Sequence, residues 1–186
     1  KDINFIKAHG LGNDFVILYK QTDIELTKKL VTFVSDRKVG IGCDLVAVVE
    51  SSENDYSDLY VRFFNKDGSE AEVCGNALRC IGKYYFFENK QENLTVETRT
   101  NLIDIEKIDD NKIAVDLGKP NFDWKKIPIS RQIDTRNISI EFDYLKKGFA
   151  INVGNPHVVF FSNVLDKKKL DIESRKILDG DLFVNG

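Results

Sequence analysis

The chain has 186 residues, 42% of them hydrophobic and 31% charged, with a net charge of −3. Such a composition is ordinary for a globular protein with material for one large or two small domains. So mild an acidity gives no reason to expect nucleic acid or an anionic membrane surface as a partner. Apolar stretches such as Tyr84–Phe87 and His157–Phe161 are far too short to span a bilayer as helices. No signal-peptide pattern opens the sequence, and three cysteines, an odd number, suggest reduced cytoplasmic thiols rather than a disulfide framework.

In chain order, residues 3–8 read as a strand, His9-Gly10-Leu11-Gly12-Asn13-Asp14 as a Gly-rich turn, and Phe15–Tyr19 as a second strand. Thr22-Asp23 can cap a helix whose apolar positions Ile24, Leu30, Val31, Phe33 and Val34 fall at helical spacing and which stops before Gly40-Ile41-Gly42. Leu45–Val49 is patterned as a buried strand, Ser51–Asp58 as a polar loop and Leu59–Asn65 as a strand. A tight turn and a short strand lead into a helix over 74–89, apolar on nearly every side and so expected in the core. Strands are expected at 94–99, 102–108 and 112–117, with Asp109-Asp110-Asn111 as a hairpin turn. Gly118-Lys119-Pro120-Asn121 is the best linker, dividing a first domain, 1–118, from a second, 119–186. Beyond it lie strands at 137–145, 148–153 and 158–161 and a charged helix at 166–178, whose Lys167-Lys168-Lys169 run suits a solvated face. The fold class is mixed α/β, of the α+β kind.

Cys74 opens the central helix, and a thiol there faces unpaired backbone N–H groups and the positive end of the helix dipole. Both favour the thiolate, the form of cysteine that acts as base or nucleophile, so Cys74 is the candidate for chemistry. Gly75 beside it lets the backbone come close to a ligand. Cys43 and Cys80 suit packing better. Two histidines and three cysteines lack metal-ligand spacing, so no metal is expected, and the paired glycines complete neither a dinucleotide nor a Walker pattern.

Five motifs occur in order: Gly12-Asn13-Asp14-Phe15; Asp36-Arg37 with Gly40-Ile41-Gly42 and Asp44; Phe64-Asn65 with Asp67-Gly68-Ser69-Glu70-Ala71-Glu72; Cys74-Gly75-Asn76 with Arg79-Cys80; and Gly154-Asn155-Pro156-His157. Together they resemble the diaminopimelate epimerase family of pyridoxal-phosphate-independent amino-acid epimerases. The resemblance implies two similar domains, each a barrel-like sheet around a central helix, with a small-molecule substrate between them and no cofactor. It implies inversion of LL- to meso-diaminopimelate, a step of lysine biosynthesis, by two cysteines on opposite faces of one α-carbon. By the same resemblance Cys74 is one acid/base, and Gly75 and Asn76 hold the reacting carboxylate. Asn13, Asn65, Asn155 and Asn185 bind the amino acid, and His157 lines the site. A homodimer is compatible with it. The family's second cysteine, in a Cys-Gly-Thr-Gly helix start, is absent up to Gly186, so the chain is expected to be truncated within its second domain. Leu45 stands where a substrate-contacting glutamine is common in the family.

Three alternatives remain open, one of them a binding-only protein that would hold the ligand without exchanging the α-proton. A proline or hydroxyproline racemase-like enzyme would also use paired cysteines. A thiol hydrolase would need a histidine base beside Cys74, and only His9 and His157 are available.

Overall fold

The structure, a computed structural model, describes residues 4–19 and 25–184. By its contacts the chain forms two compact units, Lys1–Leu117 and Gly118–Gly186.

The first unit opens with a hairpin, β1 (Phe5–Gly10) and β2 (Asn13–Tyr19). The expected six-residue turn is tighter than the glycines suggest. His9 pairs with Asp14 and Gly10 with Asn13, leaving only Leu11 and Gly12 to turn. Both have positive φ, 55° and 87°, as a two-residue turn that follows strand twist requires. The first helix, α1 (Lys28–Ser35), is capped by Thr27, whose side chain accepts from the Leu30 N–H. The expected cap at Thr22-Asp23, and Ile24, lie outside the described residues. Val31 and Val34 of α1 are buried, but Phe33, counted with the apolar face, is 56% exposed.

This helix is the crossover joining β2 to β3 (Leu45–Ser51), which run parallel with Phe15 opposite Leu45. β4 (Leu59–Asn65) returns antiparallel and sets Asn65 opposite Leu45. The two-residue β5 (Glu70–Ala71) folds back on β4. Then come α2 (Gly75–Asn89), β6 (Asn93–Glu97), β7 (Leu102–Asp109) and β8 (Lys112–Val115). Among the described residues the hydrogen-bonded order is β1-β2-β3-β4-β6-β7-β8, with β5 on β4.

That sheet wraps around α2. Ala77, Leu78, Ile81 and Phe86 of the helix pack against Phe15, Ile17, Ala47, Val61, Phe63, Leu94, Val96 and Ile105, with β1 and β8 contributing Ile6, Ala8, Ile113 and Val115. On the other face of β2 and β3, Val16, Leu18, Val46 and Val48 pack with Val31, Val34 and Cys43. Coverage on both faces explains why these strands read as continuous apolar runs rather than alternating ones. The helix is not enclosed all round, however: Phe87 is 79% exposed and Tyr84 38%. An open sheet covers one side of a helix and leaves the opposite flank to solvent.

The second unit holds a three-stranded antiparallel sheet in the order β11-β10-β9, from β9 (Ile138–Ser139), β10 (Lys147–Asn152) and β11 (Pro156–Phe160). Its core is Ile127, Ile129, Ile138 and Ala150. The strand expected over 137–145 is reduced to two residues. The N–H groups of Tyr144 and Leu145 donate to the Glu173 carboxylate at 3.2 and 2.7 Å instead of to a neighbouring strand. Glu173 lies on α3 (Lys167–Leu178), capped by Asp166, which accepts from the Lys168 and Lys169 N–H groups. The three lysines are exposed. No helix among the described residues is long and apolar enough to cross a membrane.

Candidate active site

Cys74 is the N-cap of α2. Its backbone is extended, its carbonyl accepts the first helical bond from the Leu78 N–H at 3.0 Å, and among the described residues no side chain caps the helix. Among the described residues, the first-turn donors at Gly75 and Asn76 therefore have no side-chain acceptor and are open to another. The sulfur is half-buried, and its side-chain partner is Asn13 Oδ1 at 3.9 Å, not a histidine. Asn76 Nδ2 donates to the same oxygen at 3.4 Å, and Arg79 donates to Asn76 Oδ1. Gly10 permits this approach of hairpin to helix: a Cβ there would lie 3.3 Å from Asn76 Cβ.

The sheet's topology explains how residues 61 positions apart meet. Asn13 begins β2, Leu45 begins the parallel β3, and Asn65 ends the antiparallel β4, so all three fall at one end of the sheet. Asn65 is exposed, with Nδ2 donating to Ser69 Oγ at 3.1 Å, and the chain turns back through the Gly68 N–H bonded to the Asn65 carbonyl at 2.9 Å. Leu45 is partly buried and packs against the main core. Cys43, fully buried, donates weakly to Ser35 Oγ at 3.7 Å. Burial pushes the Cys80 thiol up, away from the thiolate.

A charged cluster anchors this end, with roles the sequence alone did not assign. Asp14, next to Asn13, receives Arg37 on both oxygens at 2.6 and 3.1 Å and Lys7 at 2.7 Å. Asp44 takes Arg37 at 3.0 Å and Lys66 at 2.9 Å. Its carboxylate also accepts the Asp14 N–H at 3.2 Å and Asn13 Nδ2 at 3.5 Å. The Arg37 guanidinium, ahead of Lys7, holds the Asp14 carboxyl well below the usual carboxylate range. Lys66, followed by the Asp14 N–H, lowers Asp44. The signal was present, since Asp14, Arg37 and Asp44 all stand in the quoted motifs, but their pairing needs β2 beside β3.

Asn155 and His157 lie in the second unit, described by itself. His157 is exposed, and its Nε2 is 2.9 Å from Asn155 Oδ1. It lines a hollow of about 360 Å³ with Ile127, Pro128, Val158, Leu178 and Phe183. Asn185 lies outside the described residues.

Against known proteins, the family model for diaminopimelate epimerase matches residues 5–123. The chain is 38% identical over 180 residues to a diaminopimelate epimerase of Sphingopyxis alaskensis, covering 96% of this chain and 64% of that protein. It is 39% identical over 183 residues to one of Erythrobacter litoralis, covering 97% and 65%. The chain thus spans a little under two thirds of these relatives. Among solved structures it is similar to a hydroxyproline epimerase from Agrobacterium vitis, with a TM-score of 0.62 at 10% identity over 91% of this chain and 53% of that one. A PhzF-family phenazine biosynthesis protein from Bacillus anthracis matches with a TM-score of 0.54 at 19% identity over 85% of this chain and 55% of that one. At such identities these two likenesses concern the fold.

Proposed function

Since the chain belongs to the diaminopimelate epimerase family, we propose that it provides one acid/base half of a cofactor-independent enzyme converting LL- to meso-diaminopimelate for lysine and peptidoglycan precursors. The observation that carries this is the half-buried Cys74 at the uncapped N-terminus of the core helix, touching Asn13. The Cα–H bond of the substrate breaks as its proton passes to the Cys74 thiolate, and the electron pair stays on a planar carbanion. A thiol on the opposite face, from a second cysteine beyond Gly186, delivers a proton to that carbon. Inversion demands a base and an acid fixed on opposite faces before transfer. The first-turn N–H groups at Gly75 and Asn76 hold the α-carboxylate, where the helix dipole stabilises charge developing in the transition state. Asn13 and Asn65, at the same end of the sheet, bind the amino acid, together with Asn155, Asn185 and His157 of the second domain. The substrate is a small molecule met in the cytoplasm.

The test uses the full-length protein and chiral separation of the diaminopimelate isomers. Cys74→Ala should lower kcat by at least about a thousandfold, since a two-base inversion cannot proceed without one base. Cys74→Ser, whose hydroxyl is a far weaker acid, should be almost as slow. Unchanged turnover in both would remove Cys74 from the mechanism.

A further inference from the structure

A hydrogen-bond chain passes in front of Cys74, and both of its ends have a fixed polarity. At one end stands the Arg79 guanidinium, which can only donate. It donates to Asn76 Oδ1, so Asn76 Nδ2 is turned toward Asn13 Oδ1, 3.4 Å away. At the other end stands Asp44, an ionised carboxylate that can only accept. It faces Asn13 Nδ2 at 3.5 Å. A side-chain amide reversed by a half-turn keeps nearly the same shape, so shape alone does not choose its sense. Here the charged ends choose it. Reversing Asn76 would set its Nδ2 against a cation, and reversing Asn13 would set its Oδ1 against an anion. Either reversal alone also places two like groups against each other at the centre of the chain.

We propose that Arg79 and Asp44 are positioning residues that lock the sense of Asn76 and Asn13, so that the ligand-free sulfur of Cys74 always meets the carbonyl end of Asn13. That oxygen accepts from an S–H, at 3.9 Å in this structure, and offers nothing to a thiolate. Neither residue touches the sulfur; each acts through an amide. The catalytic meaning of the lock rests on Cys74 being the acid/base proposed above. The lock itself is a property of the ligand-free site and is measured without substrate.

The experiment is alkylation of the full-length, ligand-free protein by iodoacetamide at neutral pH, with Cys74 and Cys80 followed separately by peptide mass spectrometry. Asp44→Asn and Arg79→Gln each free one end while the other still holds the chain, so each should change the Cys74 rate by less than about twofold. Together they free both ends, letting Asn13 turn its Nδ2 to the sulfur, and the rate should rise by about fivefold or more, a coupling far from additive. Asp44→Asn with Arg79→Lys keeps a donor-only group beside Asn76 and should return the rate to within about twofold of the parent. A double variant whose effect is only the product of the two singles overturns the proposal. So does a rise at Cys80 equal to that at Cys74, compared between proteins that both carry Arg79→Gln, because that reports general loosening. A second measurement needs no substitution. In proton NMR the side-chain NH2 of Asn76 should lie close to Asn13, while a strong Overhauser contact from the Asn13 NH2 to the Cys74 β-protons would also overturn the lock. Failure of the protein to epimerise diaminopimelate would sink the proposed function and leave these alkylation results standing.

Discussion

At the scale of single residues, an ion cluster stands beside Asn13 at this end of the sheet. Asp14 is held by Arg37 and Lys7, with its side chain only 17% exposed, and Asp44 by Lys66 and Arg37. Both carboxyls titrate lower in the folded chain than a free aspartate, near 3.9. Stability that they contribute is therefore complete above that value and is lost as pH falls below it toward the folded values. Thermal unfolding followed by calorimetry should show a melting temperature that drops below about pH 4, in part through these groups. Asp14→Asn should melt lower than the parent at neutral pH and lose less on acidification; an acid slope equal to the parent's would contradict the assignment. Arg37 is about half exposed, so screening by salt should shrink the difference.

At the scale of elements, α2 is positioned by a fit so close that a normally favourable change should harm it. Alanine in place of glycine within a helix gains about 1 kcal/mol. At Gly82 the added Cβ would lie 2.7 Å from Cγ2 of Ile105, itself buried in β7. Overpacking costs typically 1–3 kcal/mol, so Gly82→Ala should lose up to about 2 kcal/mol in urea denaturation, and a stabilised protein would contradict the packing described. Much of this element was legible in advance. A cysteine starting the helix, the runs Leu45–Val49 and Leu59–Asn65, and the turn around Asp110 were all readable from local pattern. What was not legible depended on contacts distant in sequence. Phe33 and Phe87 fit an apolar helix face by spacing, yet both are exposed, because only the sheet decides which flank is covered. Residues 137–145 alternate like a strand, but the Glu173 side chain takes two of their N–H groups, and nothing local announces that partner. At the site, Asn13 and Cys74 could be named separately from their motifs. The cluster of Asp14, Arg37 and Asp44 becomes visible only once β2 lies beside β3, and the amides bridging Arg79 to Asp44 only once α2 also meets the hairpin.

At the scale of the whole molecule, the first unit is a sheet wrapped on α2, with Cys74, Asn13 and the charged cluster gathered at one end of both. The second carries its own small apolar core and sheet. Membership of the epimerase family was legible in five short motifs, because four of them combine a positive-φ glycine, at Gly12, Gly42, Gly68 and Gly154, with polar side chains beside it, and the other sets a cysteine at a helix start. The most direct test of the account is to incubate the full-length protein with LL-diaminopimelate in deuterated water and follow the α-position by proton NMR and mass spectrometry. Proton abstraction at one face and delivery at the other predicts one deuterium at the inverted α-carbon of the meso product, with exchange lost in Cys74→Ala. Meso product formed without deuterium at that carbon, or undiminished exchange in Cys74→Ala, would contradict it.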